Sequence, residues 1–535
     1  MAKNEALILW VLALFSSALL SIPFLVPHTG LLMLIAFVPL FQLEKNLSEK
    51  SIKKGWIYYY TAFLLWNLFT TYWIYNASLP GAIGAVILNA FQMALIFALF
   101  RWFKRKTKPA LGYLFLILGW LAWEHFYFNA EISWPWLVLG NAFATSIKNV
   151  QWYEFTGTLG GSLWILLSNL VLFYILNNLR RIDKGMKITI ALYSLLILVP
   201  ISLSQYIYCN YKEVSNPKEF VVLQPNIDPY KDKFAGMTQA QQDEALLSIV
   251  SDAVTDSTAL IVAPETFTNG LIENNPYGNE TFMRLYAFLK QKKIGNFLFG
   301  ATSFYIYPGS TMDNPPTYTA KKDGNSWYDY YNAAVFLDST GKYSFYHKSK
   351  LVVLTEYLPY PQYLKFMGSL SIDLGGTSGS CATQKERTVF ETHDKTVKIG
   401  AAICYESIYG DYYRDYILNG ANVMAIITND GWWGNTPGYS QHLRYASLRA
   451  VETRRSIVRS ANTGVSALIN QRGDILQKTE WRKKAYLRGD LNLNSEITTF
   501  VKYGDIIGRV AYASMLLFIG LAILIILKIR GRVIQ

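Results

Sequence analysis

Long apolar runs fill the first 210 residues of the chain and its last 30, and much shorter ones fill the stretch between. A helix needs about 20 apolar residues to cross a hydrocarbon core about 30 Å thick. Runs of this kind lie at residues 6–26, 31–43, 56–76, 81–103, 110–128, 157–179, 188–208 and 506–527, which predicts eight transmembrane helices. The second is short, and the charges around it decide its reading. Lys45, Lys50, Lys53 and Lys54 follow run two; Arg101, Lys104, Arg105, Lys106 and Lys108 follow run four. Arg180, Arg181, Lys184 and Lys187 follow run six, and Lys528, Arg530 and Arg532 follow the last. The connections after runs one, three and five hold only Lys148. This alternation is the positive-inside pattern, and it holds only if run two spans. Both termini are then expected in the cytoplasm and the central segment on the far side. Run one follows Lys3 but is too long for a signal-peptide core, so it reads as a span. Trp134 and Trp136 fit either an interfacial belt or a packed loop between helices.

From about residue 212 to 505 the texture changes. Short β-branched runs at 220–223, 259–263, 296–301, 333–338, 397–403, 423–428, 457–460 and 466–470 predict strands. Helix-like stretches at 238–253, 277–291, 412–419 and 441–454 lie between them. Strands alternating with helices predict an α/β layered fold. The expected organisation is a membrane domain over 1–211, a catalytic domain over 212–505, and a final helix with its tail over 506–535.

Composition narrows the class. Of 535 residues, 52% are apolar and 16% charged, which excludes a disordered or collagen-like chain. Three cysteines cannot build a disulfide framework. The net charge of +13 suggests nucleic acid until it is mapped: residues 212–505 are nearly neutral, and the excess lies beside the apolar runs. That pattern belongs to a membrane rim, so a bilayer is expected as partner and nucleic acid is not.

No G-x-S-x-G elbow, zinc helix or Walker loop occurs, and the five histidines are scattered, so neither metal nor cofactor is expected. Gly-Gly-Thr-Ser-Gly at 375–379 lacks the Gly-Lys of a phosphate cradle. The segment Lys398-Ile-Gly-Ala-Ala-Ile-Cys404-Tyr-Glu-Ser407 ends a strand in a cysteine. A thiol at a strand's carboxyl end can stand exposed at a sharp turn as a nucleophile, although cysteine alone more often packs as a small hydrophobe. Two further segments add chemistry: Leu260-Ile-Val-Ala-Pro264-Glu265, a strand delivering a carboxylate, and His347-Lys348-Ser-Lys350-Leu-Val, with Glu356 eight residues after Lys348.

Pro-Glu, Lys-x-x-Leu-Val and Cys-Tyr-Glu in this order resemble the nitrilase superfamily of carbon–nitrogen hydrolases. Thr428-Asn-Asp-Gly-Trp-Trp433-Gly, Gln441-His-x-x-x-Ala446-x-x-Arg449-Ala-x-Glu452 and Arg459-Ser-Ala-Asn462-Thr-Gly464 resemble its later motifs. A nitrilase segment between seven spans and one is similar in layout to the apolipoprotein N-acyltransferase branch. The resemblance implies a nitrilase-like four-layer αββα sandwich joined to eight transmembrane helices, with the catalytic domain in the periplasm at the bacterial inner membrane. It implies a phospholipid acyl donor, a diacylated apolipoprotein acceptor and a ping-pong thioester path. It also implies roles: Cys404 as nucleophile, Glu265 as base and Lys348 as oxyanion partner, with Glu356, Tyr405, Glu406 and Trp432 around them. Val353 and Thr355 depart from the usual Leu-Val-Pro-Phe-Gly-Glu, and the tryptophan expected after Gln224-Pro-Asn-Ile227 is missing, with Phe234 as its replacement. His442 carries no implied role and reads as a satisfied helix histidine.

Two other readings compete. A membrane-anchored amidase or nitrilase would hydrolyse a small C–N substrate with the same trio, but seven spans exceed what an anchor needs. A transporter or scaffold would place ionisable residues in several spans, where Glu124 is the main candidate.

Overall fold

The computed structural model describes residues 3–50, 52, 54–180, 182–233, 236–308, 314–360 and 381–534. Phe234 and the turn-rich segment 375–380 lie outside the described residues. The chain divides into two compact units. One comprises Met1–Tyr75, Ala82–Asn210 and Tyr503–Gln535; the other comprises Asn76–Gly81 and Tyr211–Lys502.

In the first unit, seven helices among the described residues have the length and apolarity to cross a membrane. The run at 56–76 forms a helix over Trp56–Thr71 of 16 residues. At 1.5 Å per residue this reaches about 24 Å, and the helical turn Ile74–Ala77 continues the segment. Run two is a 3₁₀ turn over Gly30–Leu34 followed by a helix over Val38–Glu49, with Pro39 at the helix start, where a missing N–H costs nothing. Trp136 is wholly buried against Trp73 and Trp134, with ring centroids 4.9 and 5.1 Å away, as the packed-loop alternative requires. The last helix, Ile506–Ile534, packs on Pro109–Asn129, where Asp505 Oδ2 meets His125 Nδ1 at 2.7 Å. Gly508 makes this approach possible: a Cβ there would stand 2.0 Å from Asp505 Oδ2 and 2.7 Å from His125.

The second unit contains two sheets. Strands β1 (Pro217–Gln224), β2 (Thr258–Val262), β3 (Thr268–Ile272), β4 (Asn296–Ile306), β5 (Lys321–Asp323), β6 (Ser326–Asp338), β7 (Tyr343–His347) and β14 (Ala485–Asn492) form the first. Its path is β14-β1-β2-β4-β6-β5, with β3 on β4 and β7 on β6. Strands β8 (Val389–Glu391), β9 (Lys398–Ile403), β10 (Val423–Thr428), β11 (Ile457–Ala461), β12 (Ala467–Ile469) and β13 (Ile475–Lys478) form the second, in the order β13-β12-β11-β10-β9-β8. β1, β2 and β4 run parallel, as do β9, β10 and β11.

The period-2 alternation of side chains assigns the layers. Phe220, Val222, Leu260 and Val262 face a core shared with Ile399, Ala401, Val423 and Ala425 of the second sheet. Val221, Leu223, Ile261 and Ala263 face the helices Gln239–Ala253 and Glu280–Lys292, which supply Leu246, Val250, Leu285 and Leu289. Helices Gly410–Leu418 and Pro437–Thr453 cover the outer face of the second sheet with Tyr413, Tyr416, Ala446 and Ala450. The result is the expected αββα sandwich. Central strands buried on both faces read as continuous apolar runs for this reason.

The first unit yields a stability prediction. Glu44 is completely buried, takes a hydrogen bond from Lys104, and lies 3.8 Å from Arg101 Nε. Glu44→Ala leaves two partly buried cations without an anion and should cost about 3 kcal/mol. The melting temperature of the detergent-solubilised protein reads this loss, and Glu44→Gln, which keeps a polar partner, should lose less.

Candidate active site

Glu265 follows the carboxyl end of β2, where Gly300 of β4 lets the backbone pass. A Cβ at Gly300 would lie 2.4 Å from Thr266 N and 2.5 Å from Glu265 Cα, so no other residue fits without moving the carboxylate. The next residue, Thr266, has φ +49°, an outlier for a β-branched side chain. Buried Lys233 steadies this bend, donating to Thr266 Oγ1 at 2.5 Å and to Glu265 O at 3.4 Å. Burial pushes the Lys233 ammonium down to about 8, against the pull of Glu265.

Lys348 follows β7, and its amide bonds Asn332 O of β6 at 2.8 Å. Its ammonium is 1% exposed and donates to Glu265 Oε1 at 3.0 Å and to Glu356 Oε1 at 2.8 Å. Asn332 Nδ2 donates to the same two oxygens, 2.8 Å each. Glu356 Oε2 accepts from Val352 N at 2.7 Å, which closes the loop. That loop carries Val353 and Thr355 and still folds tightly, because Leu354 takes the left-handed conformation at φ +64° and Glu356 N bonds Val352 O. Burial alone would push the Lys348 ammonium down; Glu265, Glu356 and Cys404 outweigh it and hold the group well above an ordinary lysine.

Cys404 ends β9 and opens a short 3₁₀ turn over Cys404–Ile408. Its φ of +51° is left-handed, a conformation that costs a non-glycine residue roughly 1–2 kcal/mol. Such strain at the mouth of a parallel strand is common where a side chain must be aimed. Burial first, then the charges of Glu265 and Asp430, push the Cys404 thiol well above its ordinary value, while Lys348 and a hydrogen bond with Thr428 act in the other direction. The thiol therefore rests protonated, and attack requires a base at hand. Asn429, directly after β10, donates its amide to Glu265 Oε2 at 3.2 Å and so links that carboxylate to the second sheet.

Glu406 is fully buried and joins the two halves of the site. Oε1 accepts from Ser349 N (2.7 Å), Lys350 N (3.3 Å), Tyr346 Oη (2.7 Å) and Tyr412 Oη (2.5 Å), and Oε2 from Ile403 N (2.8 Å). One carboxylate thus fastens the loop after Lys348 to the strand before Cys404. Tyr405 is buried with its ring 5.2 Å from that of Tyr409. Trp432 packs edge-on against Tyr230 at 5.1 Å, and its carbonyl accepts from Tyr230 Oη at 2.8 Å.

The structure thus brings Glu265, Lys348 and Glu356 into one buried cluster with Cys404 within electrostatic reach, and gives Glu406 a positioning place. Sequence reasoning missed Asn332, Lys233 and the partners of His442. Only the register Thr302↔Asn332 between β4 and β6 brings Asn332 to the carboxylates. Among the described residues no group of acidic, histidine or cysteine side chains could hold a metal ion.

Residues 223–499 match the family described as carbon-nitrogen hydrolase, and the chain belongs to that family. Residues 16–171 match the apolipoprotein N-acyltransferase N-terminal domain. Relatives similar over nearly the whole length carry the name apolipoprotein N-acyltransferase. That of Chlorobaculum tepidum is 29% identical over 92% of this chain and 95% of its own, and that of Geobacter metallireducens is 26% identical over 93% and 92%. Among solved structures, a nitrilase-superfamily member from Saccharomyces cerevisiae covers 53% of this chain and 92% of its own, at 16% identity and a TM-score of 0.36.

The charges around the thiol predict a pH effect with a definite sign. Glu265 raises the Cys404 pKa and Lys348 lowers it. In Glu265→Gln the raising charge is gone, so the thiol should ionise at lower pH than in the unaltered protein. Alkylation of Cys404 by iodoacetamide, followed by peptide mass against pH, should shift its midpoint downward. An unchanged or higher midpoint would remove Glu265 from the thiol's neighbourhood.

Proposed function

We propose that this chain moves an acyl chain from a phospholipid, through a thioester on Cys404, to the α-amino group of the N-terminal diacylglyceryl-cysteine of apolipoproteins. The observation that carries the reading is one buried cluster of carboxylates and ammonium, with a thiol in electrostatic reach, in a chain matched over more than nine-tenths of its length by relatives named apolipoprotein N-acyltransferase.

In the first half-reaction Glu265 takes the thiol proton as sulfur attacks the ester carbonyl. Lys348 stabilises the oxyanion of the tetrahedral intermediate in a dry site, where a fixed charge acts strongly. The S–C bond forms, the C–O bond breaks, and the proton on Glu265 passes to the departing lysophospholipid alkoxide. In the second half-reaction the neutral amine attacks the thioester. An unperturbed α-amino group has a pKa of about 7.7–8.0, so much of it is neutral near pH 7 to 8. The N–C bond forms, the C–S bond breaks, and Glu265 relays the amine's proton to sulfur. Glu356 holds Lys348 against Glu265 throughout.

The chain is a multi-pass membrane protein with seven long apolar helices among its described residues. The alternation of Lys/Arg-rich and Lys/Arg-poor connections supports a catalytic unit on the periplasmic side of the inner membrane.

Phospholipid alone should give a protein heavier by one acyl chain on Cys404, with release of lysophospholipid. The adduct should persist until a diacylated lipopeptide with a free amino terminus arrives. Cys404→Ala should form no adduct, and Lys348→Ala should slow its formation by about 10²–10³. Rapid release of free fatty acid without acceptor would instead favour the amidase-like hydrolase.

Topology has its own test. A peptide tag inserted after Gly324, in the exposed turn between β5 and β6, should label from outside the inner membrane. A tag at Lys106 should label only after permeabilisation. Labelling of the first from the cytoplasm alone would defeat the periplasmic reading.

A further inference from the structure

Two side chains, His442 and Ser407, meet at a single atom, the carbonyl oxygen of Cys404. His442, on the helix Pro437–Thr453, directs Nε2 to Cys404 O at 3.1 Å and to Ser407 Oγ at 2.9 Å. Ser407 Oγ donates to the same carbonyl at 2.7 Å. A carbonyl can only accept, so Nε2 carries a proton. The other face of the ring is fixed as well. Nδ1 lies 2.9 Å from Asp430 Oδ1 and 3.0 Å from Arg459 Nη2, and Arg459 Nη2 donates to Asp430 Oδ2 at 2.6 Å. Asp430, His442 and Arg459 are sealed from solvent. Arg459 and His442 outweigh the effect of burial on Asp430 and hold its carboxyl down to about 2. Gly464 leaves room for that carboxylate: a Cβ would stand 2.6 Å from Asp430 Oδ2.

This arrangement addresses the weak point of the site. Cys404 holds a left-handed backbone that its own side chain disfavours. A trans peptide is planar, so a carbonyl pinned by two donors fixes the plane that follows Cys404 and the direction of the Tyr405 N–H. A buried histidine needs only one partner per nitrogen, yet this one is aimed at the nucleophile's own backbone from a helix 38 residues away.

We propose that His442, oriented by Asp430 and Arg459, is a positioning residue that clamps the Cys404 carbonyl and keeps the strained nucleophile aimed at its donor. The proposal rests on the reading of Cys404 as nucleophile, and its test separates the two.

His442→Phe fills the space without a donor, whereas His442→Gln sets an amide N–H near the place of Nε2. With the full chain in detergent and palmitoyl-oleoyl phosphatidylethanolamine mixed micelles, thioester formation is followed by intact mass. The saturating rate in His442→Phe should fall by about 10²-fold, the scale of a small misplacement of reacting atoms. The half-saturating donor concentration should change by less than about threefold, because the loss falls on the reaction step. His442→Gln should recover most of the rate at an unchanged melting temperature. A Phe variant at the full rate, or a Gln variant as slow as Phe while equally folded, would overturn the clamp. If His442→Phe does not fold, Ser407→Ala removes the other donor to the same carbonyl; it should slow acylation, and a full rate would overturn the clamp.

Iodoacetamide alkylation of Cys404 without lipid makes the second measurement, with the order of unaltered protein, then Gln, then Phe expected. Equal rates in all three would overturn the clamp even if Cys404 carries the acyl group. Alkylation of the three proteins in this order, with no thioester ever formed by the unaltered protein, would overturn the acyl-transfer reading and leave the clamp standing.

Discussion

An ammonium group taken out of water costs several kcal/mol unless its charge is met by partners in good geometry. Lys348 is met by two carboxylates, and those carboxylates by Asn332 Nδ2, Val352 N and Asn429 N. These groups come from β6, from the loop after β7 and from the end of β10, so the requirement reaches across both sheets. The fold places the carboxyl ends of β2 and β9 where one buried charge cluster can serve both. The cluster then sets the state of the thiol. Burial, with negative charge from Glu265 and Asp430 beside it, holds the Cys404 thiol well above its ordinary value against the pull of Lys348.

Much of the fold was legible because its central strands are buried on both faces. Continuous apolar runs such as 259–263 and 423–428 are read directly as β2 and β10. The short edge strands were not legible: β5 is Lys-Lys-Asp and β8 only three residues, so neither carries an apolar pattern. β14 mixes Arg, Gly, Asp and Asn into half-exposed alternation, and only pairing with β1 makes it a strand. Helix starts follow cap chemistry. Thr238 forms a capping box with Gln241, while Thr436-Pro437 begins a helix four residues before the apolar periodicity is visible at 441.

The site was legible where chemistry is carried by a strand end with a distinctive neighbour. Pro264-Glu265, Lys348 and Cys404 stand at such ends. Asn332 lies inside a strand of ordinary aromatic and small residues, and nothing local marks it. His442 has a helical neighbourhood that any satisfied histidine would share; its partners Asp430, Ser407 and Cys404 are 12, 35 and 38 residues distant. Glu406 was placed near the site by its motif, but its six acceptor contacts belong to a tie between segments and only the three-dimensional structure gives them.

The pairing of β1 with β14 has a consequence for how such a chain can be assembled. Pro217, where the sandwich begins, stands opposite Asn492, where its last strand ends. The entrance and exit of a polypeptide of nearly 280 residues are therefore neighbours on one sheet edge. A host chain needs only a short gap between two of its helices to accept such a guest, and the pairing of β1 with β14 lies wholly within the guest. Inheritance can then act on the two parts separately: a ready-made hydrolase sandwich spliced as a single piece into a helical carrier, without either having to be redrawn.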